Sequence, residues 1–283
     1  MTTVPAASVI IPAYNESKAL KRLLPRLHDA SPDARFDVIV VCNGCHDDSF
    51  DVAARFGDNI RVINQVEGSK TKALNAGDEI AKAFPRIYLD ADSEVTPGDL
   101  AAVCKTLEEP GVMAVGAVAN FDASGASWAV AAYYKAWSLL PFGRNPSSIG
   151  GSGIYALSRE GRARFDAFPD VIADDGFINH LFTAAEKARC TDCVVRITPP
   201  RTWWSLVKIK SRVFRGNRQL QAMGIHPPAE SNKTGSGILS LILSPRTLVP
   251  AIVYAVTQVA ARLYAHLIQP LTRQRWQRDE TTR

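Results

Sequence analysis

Ser8-Val-Ile-Ile-Pro-Ala-Tyr-Asn-Glu16 is the stretch that decides the fold of this 283-residue chain. Its apolar run, residues 8–12, predicts a buried strand, and leucines at helical spacing over 18–27 predict a helix directly after it. Further apolar runs follow at intervals and alternate with helical patterns: 36–42, 60–63, 86–90 and 112–119. Strands separated by helices predict an α/β fold with a Rossmann-like, mostly parallel sheet flanked by helices.

The chain divides into segments of different character. Residues 1–223 predict one domain, with a regular half over 1–119 and a less regular half over 120–223. The helix predicted over 70–83 and a strand over 194–198 belong to these halves, as does a helix over 175–185. A stretch rich in Pro, Gly and Asn at 224–237 predicts a linker. The remaining residues, 238–283, combine apolar runs with arginines.

Charge is distributed unevenly along the chain. Residues 196–283 carry 14 basic and 3 acidic side chains, a net of +11, whereas residues 1–195 carry 19 basic and 25 acidic ones, a net of −6. A basic segment of this kind suits nucleic acid, an anionic membrane or a phosphate-bearing substrate. The N-terminus has no basic stretch followed by a long apolar core, so a cytoplasmic protein is expected.

Polar residues follow the predicted strands where parallel sheets bind ligands, at the carboxyl ends. Asp90 and Asp92 close one strand, and two such carboxylates can share a hard divalent cation with a diphosphate; a solvated turn is the alternative. Residues 12–16 after the first strand suit a pocket for a flat base. Asn43, after the second predicted strand, can form a hydrogen bond with the edge of a base. The residues 68–75, where a helix begins, suit an anion.

Taken together, these motifs resemble those of family 2 glycosyltransferases with the GT-A fold. The resemblance covers about residues 8–220 and depends on the order of seven motifs: Val9 to Glu16, Asn43-Gly44 with Asp47, Lys70 with Ala73-Leu-Asn75, Leu89-Asp-Ala-Asp92, Gly151-Ser-Gly153, Asp174-Asp175 and Lys210 to Asn217. It implies a sugar transferred from a nucleoside diphosphate donor, usually a UDP-sugar, to a hydroxyl acceptor.

The resemblance also implies a role for individual residues. The implied nucleotide-sugar-binding residues are Pro12, Ala13, Tyr14, Glu16, Asn43, Lys70, Asn75, Asp90 and Ala91. Asp90 and Asp92 are implied to bind Mn²⁺ or Mg²⁺. Two departures from the family pattern affect the donor side: Asn43 replaces an acidic residue, and Ser69 replaces the glycine of a Gly-Lys pair.

Four residues are implied to act in catalysis. Asp174 and Asp175 stand where the family has its Glu-Asp pair, and Asp175 matches the base that an inverting transfer needs; a favourable interaction with a helix N-terminus is the alternative. Arg212 and Arg215 lie three residues apart on a predicted helix and suit a diphosphate. An ordinary solvated basic helix explains these two arginines equally well.

The C-terminal segment contains an apolar helix over 248–267. Leu248, Ile252 and Val256 begin an apolar stripe at helical spacing, while polar residues gather on the other side. An amphipathic helix of this kind suits peripheral contact with the inner face of the membrane through 238–283, with packing on the domain and a true span as alternatives. The apolar run fits a membrane better than nucleic acid.

The sequence therefore predicts an inverting, metal-dependent glycosyltransferase whose acceptor is lipid-linked or a polysaccharide. Two alternatives remain: a non-catalytic protein that binds nucleotide sugars or glycans at the membrane, and a sugar-1-phosphate nucleotidyltransferase. Two Cys-x-x-Cys pairs, Cys42 with Cys45 and Cys190 with Cys193, have no role in this scheme. They lie too far apart in sequence for the compact zinc sites that such pairs usually form.

Overall fold

The computed structural model describes residues 6–28, 36–57, 60–140, 145, 147–226, 241–242 and 244–267. Its seven strands form one sheet in the order β3-β2-β1-β4-β6-β5-β7. The strands are β1 Ala7–Ala13, β2 Phe36–Asn43, β3 Ile60–Gln65, β4 Arg86–Leu89, β5 Ala114–Phe121, β6 Ile154–Leu157 and β7 Lys187–Ile197. Every pairing is parallel except the two made by β6, which confirms the expected mostly parallel α/β sheet.

Helices cover both faces of this sheet. They are α1 Ser17–His28, α2 Ser49–Ala54, α3 Lys70–Ile80, α4 Pro97–Thr106, α5 Trp128–Leu139, α6 Arg159–Arg162, α7 Asp174–Leu181, α8 Trp203–Ala222 and α9 Leu248–Leu267. The buried strand β1 shows why two layers form: Val9 and Ile11 pack with α1 on one face, and Ile10 packs with α3 on the other. A strand buried on both faces reads as an uninterrupted apolar run.

Three predicted boundaries differ from the structure. The helix predicted over 70–83 ends at Ile80, because Ala81 is extended. The helix predicted over 175–185 stops at Leu181 and a short 3₁₀ turn follows. Strand β7 begins at Lys187, seven residues before the predicted start at 194, and its first half pairs with β5. That half includes Lys187 and Arg189, so no apolar run marks it in the sequence.

The C-terminal helix α9 packs on the domain through α5 and α8. Tyr254 stacks on Tyr133 with ring centroids 5.0 Å apart, and the indole N–H of Trp203 donates to Thr257 Oγ1 at 2.9 Å. The opposite side of α9, here called the outer face, is solvent-exposed and consists of Leu248, Ile252, Val256, Val259, Leu263 and Leu267. By length and composition alone, this helix could also cross a membrane.

The proposed domain boundaries stay predictions. Residues 227–240 lie outside the described residues, and they include most of the expected linker 224–237. The basic end, residues 268–283, lies outside them too.

The sheet brings the ends of several strands to one edge. Strands β1, β2 and β4 end there, and the antiparallel strand β6 begins there, with Ile154 opposite Leu89. Because β6 runs the other way, the loop before it, rather than the loop after it, reaches this edge. The metal-binding candidates after β4, Asp90 and Asp92, and the glycine-rich loop before β6, residues 150–153, are therefore neighbours.

Candidate active site

A cavity of about 370 Å³ opens at this edge of the sheet. Six predicted site residues line it: Pro12, Lys70, Asp90, Asp92, Asp174 and Asp175. The first four come from the regular half of the chain and the two adjacent aspartates from the less regular half. The cavity therefore lies where the two halves meet, and it contains the four predicted carboxylates together with one lysine.

Lys70 connects the two sides of the cavity. Its Nζ lies 2.8 Å from Asp90 Oδ1 and 3.0 Å from Asp174 Oδ1. The lysine is the first residue of α3, and Ser69 caps that helix by accepting from the Lys72 amide. Asp174 is buried and also accepts from the hydroxyl of Tyr155 at 3.0 Å. One ammonium group thus forms ion pairs with two carboxylates whose residues lie more than eighty positions apart in the sequence.

Burial and crowding of charge shift the pKa values of these groups. Burial of Lys70 alone would lower its pKa, but the charges of Asp174 and Asp90 outweigh burial and raise it. The pKa of Asp90 rises to about 6, because burial and the nearby carboxylates Asp92 and Asp174 outweigh the attraction of Lys70. The site therefore carries an excess of negative charge that a cation would relieve.

Asp175 is positioned by backbone groups. Its Oδ1 accepts from the Gly176 amide at 2.8 Å, and its Oδ2 accepts from the Gly151 amide at 3.2 Å. Burial and the adjacent charge of Asp174 raise the pKa of Asp175 despite these bonds and the attraction of Lys70. A carboxylate with a raised pKa in a cavity has the properties of a general base.

The glycine-rich loop, residues 150–153, lies close to both Asp90 and Asp175. A Cβ at Gly150 would lie 2.9 Å from Asp175 Oδ2. The carbonyl of Gly153 accepts from the Asp90 amide at 2.8 Å, and Gly153 has a φ of +74°. The loop thus holds the turn after β4 on one side and the candidate base on the other.

Gly153→Ala is expected to destabilise the protein and to disturb the Asp90 turn. The new Cβ would lie 2.5 Å from Ser93 Oγ, and the positive φ adds strain of about 1–2 kcal/mol. Denaturant unfolding and transferase activity measure the two effects. Gly111→Ala is the matched control, because Gly111 has a φ of +82° but nothing within 4 Å of its Cβ position. Equal losses in both variants would contradict the steric argument.

The expected base pocket is formed by the loop after β1. Asn15 has a positive φ of 54°, and its side-chain Oδ1 accepts from the His46 amide at 2.7 Å. The Glu16 amide donates to Ser49 Oγ at 2.8 Å. The ring of Tyr14 lies 3.6 Å from the Cβ position of Gly68, so the loops after β1 and β3 meet at this ring. Ala13 and Glu16 thus lie on a loop that backbone contacts hold in place.

Two of the amide residues predicted from the family resemblance are engaged within the protein. Asn43 is fully buried and donates to the Ala13 carbonyl at 2.9 Å, while its Oδ1 has no hydrogen-bond partner within the described part of the chain. Asn75 bonds both backbone groups of Phe168, at 3.0 Å to the carbonyl and 2.8 Å from the amide. In the structure, these side chains position neighbouring segments, and only Asn43 keeps an unpaired polar atom.

Three further predicted residues, Ala91, Arg212 and Arg215, are not among the described residues that line the cavity. Ala91 is buried in the core beneath the Asp90 turn. Arg212 and Arg215 on α8 are half-buried, and neither is among the described residues that line the cavity. Their helix nevertheless reaches the site, because Gly216 packs on Ala173, directly before the aspartate pair. The structure thus brings the carboxylates and Lys70 together but places the two arginines outside the lining.

Sequence reasoning missed several residues that line the cavity, among them Tyr155, Arg22 and Arg196. Tyr155 bonds Asp174 from strand β6, and Arg22 and Arg196 line the cavity from α1 and the end of β7. Arg196 also forms an ion pair with Asp122. The tyrosine follows Gly153 by two positions in a short apolar strand, so alternation along that strand was the available signal. No sequence pattern marks either arginine.

The described residues contain no cluster of three or more His, Cys, Asp or Glu side chains that is arranged to hold a metal ion by itself. The available donors are the two carboxylates Asp90 and Asp92. Mg²⁺ is commonly bound by one or two carboxylates together with substrate phosphates and water. The donor set therefore fits a cation that is shared with a bound diphosphate.

This fold and this cavity define a class of protein. The family model for glycosyl transferase family 2 matches residues 8–165, more than half of the chain. The chain therefore belongs to glycosyl transferase family 2 and is a glycosyltransferase, as its motifs predicted.

Curated relatives agree with this assignment. Glycosyltransferase AglE of Haloferax volcanii is 27% identical over 238 residues, which is 77% of this chain and 75% of the relative. An undecaprenyl-phosphate 4-deoxy-4-formamido-L-arabinose transferase of Pseudomonas syringae pv. syringae is 34% identical over 118 residues. That match covers 39% of this chain and only about a third of the relative, 35%.

Solved structures share the GT-A fold. The mannosyltransferase PcManGT of Pyrobaculum calidifontis, in complex with GDP-Man and Mn²⁺, matches with a TM-score of 0.64 at 18% identity and covers 93% of this chain and 88% of its own. The glucosyl-3-phosphoglycerate synthase of Mycobacterium tuberculosis, with Mn²⁺, UDP and glucosyl-3-phosphoglycerate, matches with a TM-score of 0.53 at 19% identity, over 79% and 81% of the two chains. The expected GT-A fold is confirmed.

Proposed function

We propose that this glycosyltransferase is an inverting, metal-dependent enzyme that moves a sugar from a nucleoside diphosphate donor to a hydroxyl acceptor. The observation that carries the proposal is the arrangement around Lys70, which lies between Asp90 and Asp174 with Asp92 and Asp175 in the same cavity. This arrangement combines the donors for a cation with a carboxylate of raised pKa. A metal-assisted transfer with a general base needs both.

The donor is a nucleotide sugar bound at the ends of β1 and β2. The PcManGT structure holds GDP-Man and the Mycobacterium enzyme holds UDP, so both bases occur on this fold. We propose a UDP-sugar here, with the base against Tyr14 and the loop around it. Asn43, which the sequence assigns to the edge of the base, bonds this loop through the Ala13 carbonyl, and its Oδ1 has no hydrogen-bond partner among the described residues.

Asp90 and Asp92 would hold Mn²⁺ or Mg²⁺. Bound there, the ion supplies positive charge to the diphosphate as it leaves. The raised pKa of Asp90 supports this assignment. Without a bound metal ion, Asp90 is close to the negative charges of Asp92 and Asp174, and Lys70 offsets them only in part. Mn²⁺ in two structures of the same fold supports it further.

Asp175 is the proposed base. Its carboxylate removes the proton of the acceptor hydroxyl while that oxygen forms a bond to the anomeric carbon of the sugar. The bond from this carbon to the diphosphate breaks on the opposite side, and the nucleoside diphosphate leaves with the electron pair. The amides of Gly151 and Gly176 fix the orientation of Asp175, and Asp174 holds Lys70 beside it.

Release of nucleotide from a panel of UDP-, GDP- and dTDP-sugars tests this proposal. The purified full chain with Mn²⁺ should release nucleoside diphosphate from one donor, slowly with water and faster with the correct acceptor. Chelation of the metal should stop the release. Binding of a nucleotide sugar without any release would support the non-catalytic alternative, and release of pyrophosphate from a nucleoside triphosphate and a sugar phosphate would support the nucleotidyltransferase.

We further propose peripheral contact with the inner face of the cell membrane through the outer face of α9. Six apolar side chains on it are between 38% and 72% exposed, a periodic stripe that the domain leaves uncovered. The sequence after this helix contains four arginines, which suits anionic headgroups. The name of the Pseudomonas relative includes a lipid phosphate, and this supports a lipid-linked acceptor.

Val256→Glu with Leu263→Glu should abolish flotation with vesicles that contain phosphatidylglycerol. Each side chain is more than half exposed, so the substitutions leave the core intact. Loss of two apolar side chains that the membrane would bury is expected to weaken binding by more than about tenfold. Val194→Glu, at a similarly exposed position on β7, is the control and should float like the wild type. Equal flotation of all three proteins, or none by the wild type, would refute membrane contact through α9.

A further inference from the structure

One Cys-x-x-Cys pair lies directly beneath the proposed donor loop. Cys42 is buried near the end of β2, and Cys45 is half-buried three residues later, after a bend at Gly44. Cys45 Sγ lies 3.4 Å from the Asn15 amide, which donates to it, and 3.4 Å from the Ala13 carbonyl. The sulfur therefore holds the backbone of the loop that carries Tyr14.

The two thiols of this pair differ in chemistry. A hydrogen bond with the Cys42 thiol is the largest cause that lowers the pKa of Cys45 to about 6, and the Asn15 amide adds to it. The same pairing, together with burial, raises the pKa of Cys42. A half-buried cysteine that ionises readily, next to a protonated partner thiol, has the ionisation pattern of a reactive cysteine with its resolving cysteine.

The second Cys-x-x-Cys pair provides an internal comparison. Cys190 and Cys193 are both buried in strand β7, and burial raises the pKa of Cys193 to about 12. This pair has the same spacing in sequence, but both of its cysteines are buried, whereas Cys45 is half-buried.

We propose that Cys42 and Cys45 form an oxidation-sensitive modification site that weakens binding of the donor nucleotide when the two sulfurs are joined. The oxidant is a peroxide. The Cys45 thiolate attacks one oxygen of hydrogen peroxide, the O–O bond breaks, and hydroxide leaves, which gives a sulfenic acid on Cys45. The Cys42 thiol then attacks the Cys45 sulfur, a disulfide forms and water leaves, so two thiols are oxidised and one peroxide is reduced.

The disulfide changes the loop because Cys45 changes its partners. The Cys45 thiol accepts a hydrogen bond from the Asn15 amide and donates one to the Ala13 carbonyl, whereas a disulfide sulfur is a much weaker acceptor and has no S–H to donate. Asn15 already has a positive φ, which the surrounding contacts must maintain. Loss of the sulfur contact should therefore loosen the loop, and this step rests on the proposed donor site.

Peptide mass mapping after peroxide treatment tests the chemistry without any assay of activity. Trypsin releases Cys42 and Cys45 together in the peptide 36–55, and Cys190 and Cys193 in the peptide 190–196. Peroxide should remove two hydrogens from the first peptide, reversibly with dithiothreitol, well before the second changes. In Cys42→Ser, dimedone should trap a sulfenic acid on Cys45. An unchanged first peptide, or equal rates for both, would overturn the proposal.

Calorimetric titration with UDP and with GDP in the presence of Mn²⁺ tests the consequence. Oxidised wild type should bind the preferred nucleotide about tenfold more weakly than reduced wild type, a loss of about 1.4 kcal/mol. Oxidation should not change the affinity of Cys45→Ser relative to its own untreated sample. Disulfide formation with unchanged affinity would overturn the effect on the donor. Absence of nucleotide binding by the reduced protein would instead refute the proposed function.

Discussion

Asp175→Asn is expected to reduce the turnover number by about 10²- to 10⁴-fold while the affinity for the donor nucleotide stays within a few-fold. The amide keeps the shape of the side chain, and its single oxygen can still accept from one of the two backbone N–H groups, that of Gly176 or that of Gly151. It cannot take a proton from the acceptor hydroxyl. Steady-state kinetics with the donor and acceptor gives the turnover number, and calorimetry with the nucleotide gives the affinity.

Asp166→Asn is the matched control for this substitution. Asp166 is exposed on the preceding loop, and only its backbone carbonyl is hydrogen-bonded in the described contacts, to Arg162. Its activity should equal that of the wild type. The wild type should also lose activity as the pH falls, at a pH above the usual range for aspartate, because the pKa of Asp175 is raised and its ionised form is the active one. Full activity in Asp175→Asn would exclude this residue as the base.

Lys70→Met is expected to lower the free energy of unfolding by about 3 kcal/mol near neutral pH. The substitution leaves Asp90 and Asp174 facing each other without the ammonium that now lies within 3.0 Å of both. Denaturant unfolding without added metal measures the loss. Lys72→Met is the control, because Lys72 is half-exposed and pairs only with exposed Glu67, so it should change stability by less than about 0.5 kcal/mol.

The pH dependence of this loss distinguishes charge from packing. The pKa of Asp90 in the folded protein, about 6, is already above its ordinary value, and removal of Lys70 should raise it further. A group with a raised pKa in the folded state binds a proton more tightly there, so protonation stabilises that state as the pH falls. The loss in free energy of unfolding caused by Lys70→Met should therefore become smaller as the pH falls from about 7 to about 5. A loss that does not depend on pH would indicate that the substitution removes packing instead.

Most of the sheet could be predicted because its strands are buried on both faces. Runs such as 9–11 and 38–42 are continuous in apolar residues, and parallel strands covered by two helical layers produce this pattern. Strand β7 shows the limit of the method. It lies at the edge of the sheet, and its first half, 187–190, includes charged residues, so the pattern that marks the central strands is missing.

The candidate site was predictable where a residue directly follows a central strand. Asp90 and Asp92 follow β4, and their place at the sheet edge needs only the rule that ligands bind at carboxyl ends. The bond between Tyr155 and Asp174 was not predictable, because it depends on the reversed direction of β6 within a mostly parallel sheet. Pairings between distant segments, such as Lys70 with Asp174, depend on the tertiary fold and leave no local signal.

The way α9 is attached has a geometric consequence. Small residues, Ala251, Ala261 and Ala265, are buried on its inner side, and Thr257 is bonded to Trp203 across the contact. Close packing of this kind fixes the angle of a helix as well as its position. A surface that binds the outer face would therefore hold the cavity beside Lys70 at a fixed distance and orientation. Under the proposed function, acceptors whose hydroxyl group reaches that distance from the surface would be preferred.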